Sequence, residues 1–183
     1  MLRPIVPSPP VSGANRVAIG HTLVVRRTAG DTGDVRTVES EALVGASFNE
    51  VWDLYDDIAG MPRWVPFVRE IVYVSGPPRV GTVYRERGRF TWLPGAEQWE
   101  IVEYRRPSIQ VHVTDARSLE VTLVIRFEGR GTGTWVHHSA ELRSGLWGPF
   151  GWLHEVVLAI PVARNVQAVA AGAKRSFEGD PPR

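Results

Sequence analysis

Two stretches of this chain place ionisable side chains on faces that read as inward. From Gly81 to Phe90, GTVYRERGRF, the residue types alternate, so a strand there puts Tyr84, Glu86 and Phe90 on one face and Arg85, Arg87 and Arg89 on the other. From Thr134 to Leu142 the same alternation puts Val136, His138, Ala140 and Leu142 inward and Trp135, His137 and Ser139 outward. An imidazole titrates near neutrality and both donates and accepts, which makes His138 a candidate general acid or base. A carboxylate enclosed by apolar side chains has its pKa raised into the range useful for proton transfer, which makes Glu86 its partner. With Tyr84 beside them, the two form a candidate catalytic set for enolisation, dehydration or aldol cyclisation. The assignment depends on register, since a slip of one residue or a bulge turns either group to solvent.

Other chemistries find little support. The chain has no cysteine, so disulfides, thiolate nucleophiles and thiolate metal sites are excluded. His137 and His138 are adjacent and face opposite ways on a strand, and His21, His112 and His154 are dispersed, so no metal site is expected. No other cofactor is expected either. Gly129, Gly131 and Gly133 lie between two strands rather than before a helix, the context of a hairpin and not of a phosphate loop. A net charge of +1, with arginines scattered along the chain, argues against a nucleic-acid partner. No uninterrupted apolar run approaches the ~20 residues of a membrane span, and the opening MLRPIVPSPP lacks the apolar core of a secretory signal. The expectation is a cytoplasmic protein without stable membrane insertion.

The elements that must hold these groups are mostly strands. Leu146 to Glu178 is the exception: apolar residues at Leu153, Val156, Val157, Ile160, Ala163, Val166, Ala170, Ala173 and Phe177 recur at helical spacing. Pro161 removes one hydrogen bond from that helix and predicts a kink, with the portion before it a candidate movable cover. Met1 to Asn15 reads as a flexible arm and Arg16 to Arg27 as a strand, joined by the turn formers of residues 28–34 to a second strand, Val35 to Val44. Ser47 and Glu50 form a capping box that opens a short helix, and Gly60 and Pro62 stop a second one. Strands follow at 65–75, 81–90, 97–104, 109–114, 119–127 and 134–142, and a long helix must lie against them.

That order, with the phrases ASFNEVWDLYDDIAGMPRW, VGTVYRERGRF, QWEIVEYRRPS and AKRSFEG, resembles the START-related helix-grip (SRPBCC) superfamily in its polyketide cyclase/dehydrase and lipid-transport branch. The resemblance implies an α+β fold over residues 36–178. A curved antiparallel sheet of about seven strands would wrap around the long C-terminal helix, with two short helices after the first family strand and a hydrophobic cavity between sheet and helix. Residues 16–35 add an extra strand and turn, which must lengthen a sheet edge or meet another subunit in a homodimer, and residues 179–183 form a tail. Candidate lining residues are Trp64, Phe90, Trp99, Val111, Val113, Leu123, Ile125, Phe127, Leu142, Trp152, Val156 and Ile160. Two function classes fit such a cavity. The first is an enzyme similar to polyketide cyclases or aromatases, acting on a polyketide-like substrate largely by proximity. The second is a carrier or sensor of a lipid, quinone or other apolar metabolite, and the fold alone does not choose between them.

Overall fold

The computed structural model describes residues 24–30, 33–90, 94–116, 119–146 and 148–179. The expected arm at 1–15, the first part of the strand expected from Arg16 and most of the C-terminal tail lie outside the described residues. Among the described residues eight strands form one antiparallel sheet: β1 (Val24–Gly30), β2 (Gly33–Val44), β3 (Val68–Val74), β4 (Val83–Gly88), β5 (Gly95–Arg105), β6 (Ile109–Ala116), β7 (Leu119–Arg130) and β8 (Gly133–Ser144). Their spatial order is β1-β2-β8-β7-β6-β5-β4-β3. Strands β3 to β8 form a meander, and β2 closes against β8 from the other end of the sequence.

The two short helices fall between β2 and β3. Helix α1 (Phe48–Asp56) starts at Ser47, whose hydroxyl accepts from the Glu50 backbone N–H while the Glu50 carboxylate accepts from the Ser47 N–H. These reciprocal bonds satisfy donors that a helix start otherwise leaves open. A 3-10 helix follows at Ile58–Arg63, its first turn held by the Asp57 carboxylate accepting from the Gly60 N–H. The long helix α2 (Gly148–Glu178) packs along β2 and β8 and runs through Pro161, which is itself buried. Its most apolar 18-residue window, with a mean hydropathy of 1.5, is apolar enough to cross a bilayer although charged and polar residues interrupt it. Its packing against the sheet identifies it as the core helix of the domain.

The extra strand differs from expectation in place, and of the expected positions it takes the sheet edge, beside β2. Strand β1 spans Val24–Gly30, includes residues expected in the turn, and pairs with β2 as a hairpin ending at Gly30 and Gly33. Strand β2 has β8 on one side only, so its other edge was free to receive β1. Register shifts occur between Val68 and Glu70, between Ile71 and Tyr73, and between Ile101 and Glu103. Such bulges bend strands, and these lie in the half of the sheet where Tyr84, Glu86 and Trp99 stand.

Contact between α2 and the segment after the 3-10 helix is unusually close. A Cβ added to Gly172 would lie 2.0 Å from the Trp64 carbonyl oxygen, a backbone atom that cannot rotate away. Helix propensity alone would favour alanine at this position by about 1 kcal/mol. Overpacking of a buried contact costs roughly 1–3 kcal/mol and should win. Gly172→Ala is therefore expected to lower the urea midpoint; an unchanged or raised midpoint would show that α2 does not press on Trp64.

Candidate functional site

The cavity between α2 and the sheet is walled by β4 to β8, the two short helices and the middle of α2. Tyr84 and Glu86 on β4 are each 3% exposed, and His138 on β8 is fully buried, so all three sequence candidates line one space. Trp64, Phe90, Trp99, Leu123 and Ile125 also line it. Arg85 and Arg87 are exposed on the opposite face, as the alternation requires, and Arg89 is exposed just beyond the end of the strand.

Several expected lining residues lie elsewhere. Val111 is buried and Val113 half-buried, but neither borders the cavity, because β6 presents Gln110 and His112 there instead. Leu142 and Phe127 are buried in the core beside the cavity rather than on its wall. Trp152 and Ile160 are about half exposed and Val156 is half-buried, all away from the cavity. The helix contributes Val162, Asn165, Val166 and Val169 in their place. In the first turns of α2 the inward positions belong to Gly151, Glu155 and Ala159, with the Glu155 carboxylate accepting from the Ser144 N–H at 2.9 Å. Helical spacing alone could not show this, since both sides of that segment are rich in apolar residues.

Among the described residues, Glu86 is the one carboxylate that borders the cavity. Burial pushes its pKa up to about 7, against some relief from the Trp99 indole and with a further push from Glu97, directly across the strand pair. The Trp99 N–H lies near enough to temper the rise but completes no hydrogen bond. At neutral pH both forms of Glu86 are populated, the condition under which a carboxyl takes and returns a proton.

The histidines are set differently. The Tyr84 hydroxyl lies 3.1 Å from His112 Nδ1, His112 Nε2 lies 3.2 Å from Gln110 Oε1, and Gln110 Nε2 donates to Asp56 Oδ1 at 3.4 Å. The Tyr104 hydroxyl also donates to that carboxylate, at 2.9 Å. Because the Asp56 carboxylate accepts, the Gln110 amide must turn its oxygen to His112, so His112 carries its proton on Nε2 and accepts from Tyr84 at Nδ1. This chain fixes the ring and leaves the Tyr84 oxygen to accept from the cavity side. On β8, His138 Nε2 lies 2.9 Å from the buried Tyr55 hydroxyl. With that hydroxyl donating, the proton of His138 sits on Nδ1, which has no partner. Burial lowers His112 to about 4 and His138 to about 3, so both stay neutral across the physiological range. His138 is thus placed where the alternation puts it, but as a neutral hydrogen-bonding ring rather than a group titrating near pH 7.

The alternation of apolar residues missed Gln110 and His112, whose signal was a polar i, i+2 pair within an otherwise apolar strand. It also missed Tyr55 and Asn165, which two helices bring to the same wall. Among the described residues, no group of three or more His, Asp or Glu side chains is arranged to hold a metal ion. The walls enclose about 700 Å³ of atom-free space including the part open to solvent, yet only about 50 Å³ admits the centre of a water-sized molecule. That is room for roughly four waters, so a larger ligand must displace side chains on entering.

No curated protein matches the chain in sequence. Among solved structures, CalU16 from Micromonospora echinospora superposes with a TM-score of 0.64 at 16% identity, covering 88% of this chain and 86% of its own. A START superfamily protein from Mycobacterium smegmatis gives 0.62 at 13% identity over 78% and 97% of the two chains. The Zhui aromatase/cyclase from Streptomyces sp. R1128 gives 0.58 at 15%, over 77% and 94%. At these identities the likeness is one of fold: a helix-grip sheet around a long C-terminal helix. Sequence carries the assignment further, for residues 35–178 match the family described as polyketide cyclase/dehydrase and lipid transport, and the chain belongs to that family.

Proposed function

We propose that the cavity binds an apolar, carbonyl-bearing small molecule and promotes its cyclisation or dehydration by proton transfer at Glu86. The observation that carries this reading is a carboxyl buried in an aromatic wall with its pKa raised to about 7. In a dehydration, the Glu86 carboxylate takes the proton α to the ligand carbonyl, a C=C bond forms as the β-hydroxyl departs, and protonated Glu86 returns the proton to make water. His138 Nδ1 and the Trp64 indole N–H are buried and without protein partners, and they suit carbonyl oxygens along the ligand. His138 then acts as a hydrogen-bond donor, and Tyr84 positions His112 while accepting from a ligand hydroxyl. Folding a flexible chain within such walls supplies the larger part of the rate through orientation.

Native mass spectrometry of protein purified from its own cells tests the reading. Glu86→Gln should retain a ligand one water heavier than the one carried by the unaltered protein. A mixture of unchanged fatty acids or quinones on both proteins would overturn the enzyme and leave the carrier, for which the neutral histidines and the otherwise apolar wall are already suited.

A further inference from the structure

Beside the cavity lies an open basin, with about 430 Å³ available to the centres of water-sized molecules against about 50 Å³ inside. Phe67 and Asn165 line both spaces, so the basin adjoins the cavity and these two side chains stand between them. Three arginines line it: Arg69 on β3, Arg89 just beyond β4, and Arg164 on α2. No acidic residue lines it, and none of the three has an ion-pair partner among the described residues. Arg87, two residues before Arg89, is paired with Glu70 at 2.7 Å.

The rim is built from fixed backbone. The Arg89 N–H donates to the Phe67 carbonyl at 3.0 Å, and the Asn165 amide donates to the Phe90 carbonyl at 2.6 Å. These bonds tie the residue before β3, the segment after β4 and α2 together beside the basin, and so hold three cationic side chains about it. The chain as a whole carries a net charge of only +1, so this concentration is local.

We infer that the ligand of the cavity is an anionic amphiphile, its carboxylate or phosphate held by Arg69, Arg89 and Arg164 and its apolar part passing Phe67 into the aromatic interior. The inference rests on the proposed cavity function and adds the charge and direction of entry. Guanidinium groups bind such oxyanions through paired N–H donors, and a charged head left in the basin avoids the cost of burial. The apolar part alone would then meet Trp64, Phe90 and Trp99.

Titration calorimetry with decanoate, decyl phosphate and 1-decanol tests this on the full chain. At least one anion should bind roughly tenfold or more tighter than the alcohol, with the advantage shrinking as salt is raised. The preferred anion identifies the head as carboxylate or phosphate. The triple variant Arg69→Gln/Arg89→Gln/Arg164→Gln should lose that advantage while binding 1-decanol as before, whereas Arg143→Gln, far from the basin and paired with Glu120, should change nothing. An alcohol that binds as well as both anions, or an anion preference that survives in the triple variant, overturns the inference and leaves the cavity function standing. If none of the three probes binds, the cavity function itself falls, and this inference with it.

Discussion

Glu86→Gln should make the folded protein more stable at pH 8 by roughly 3 kcal/mol, leave it nearly unchanged at pH 4.5, and abolish turnover. The folded pKa of Glu86 is about 7 against 4.5 for the ordinary side chain. A group with a raised folded pKa contributes stability that is fully present below the unfolded value and lost as the pH climbs through the folded one. For Glu86 that window runs from about 4.5 to about 7, and above it the fold bears the cost of an ionised carboxylate 3% exposed among aromatic rings. Glutamine has nearly the same shape and stays neutral, resembling the protonated acid. In a chain of 183 residues, 3 kcal/mol corresponds to roughly 6–12 °C in melting temperature. Melting curves at the two pH values decide the matter: an equal gain at both would mean that the carboxyl does not titrate between them, and the proton-transfer role would go with it. A stabilised but inactive variant is also the usual signature of a strained functional group.

How much of this was legible in the sequence varied with the physical signal each element carries. Strands β4, β7 and β8 each have one apolar and one polar face, so alternation placed Tyr84, Glu86, Leu123, Ile125 and His138 on the cavity side without a structure. The capping box at Ser47 was equally readable, because a reciprocal pair of hydrogen bonds demands those residue types at that spacing. Strand β6 reads the wrong way: Val111 and Val113 are the hydrophobic pair, yet Gln110 and His112 face inward, where the Asp56 carboxylate and the Tyr84 hydroxyl satisfy them. A partner from a distant element made that burial affordable, and no local pattern reveals such a partner. The start of α2 failed for the opposite reason, since Phe150, Leu153 and Ile160 are exposed while Glu155 is buried. Where a helix is apolar on several sides its hydrophobicity carries no phase, and contact with Ser144 sets its rotation.

Acid should begin to destabilise the protein above the range in which carboxylates usually control the process, and the two cavity histidines should be the cause. The folded pKa values are about 4 for His112 and about 3 for His138, both depressed from 6.5 by burial. Groups with depressed values contribute stability that is present above the unfolded pKa and lost as the pH falls through the folded one. Here the loss begins near pH 6.5 and is complete only below about 3. By pH 4 each histidine has withdrawn about 3 kcal/mol, together a large share of an ordinary domain's stability. Glu86 works in the opposite sense, regaining about 3 kcal/mol as it is protonated over much of the same interval. Two histidines against one carboxyl leave a net loss of roughly 3–4 kcal/mol between pH 7 and pH 4 and set the optimum near neutrality. The half-buried His137, shifted in the same direction by burial, adds to the acid limb. In His112→Gln/His138→Gln the slope should reverse, so that this variant, whatever it loses at pH 7 through disturbed hydrogen bonds, is more stable at pH 5 than at pH 7. Urea unfolding across that range reads the slope rather than the absolute stability. An acid limb that persists unchanged in the double variant would place the sensitive groups outside the cavity.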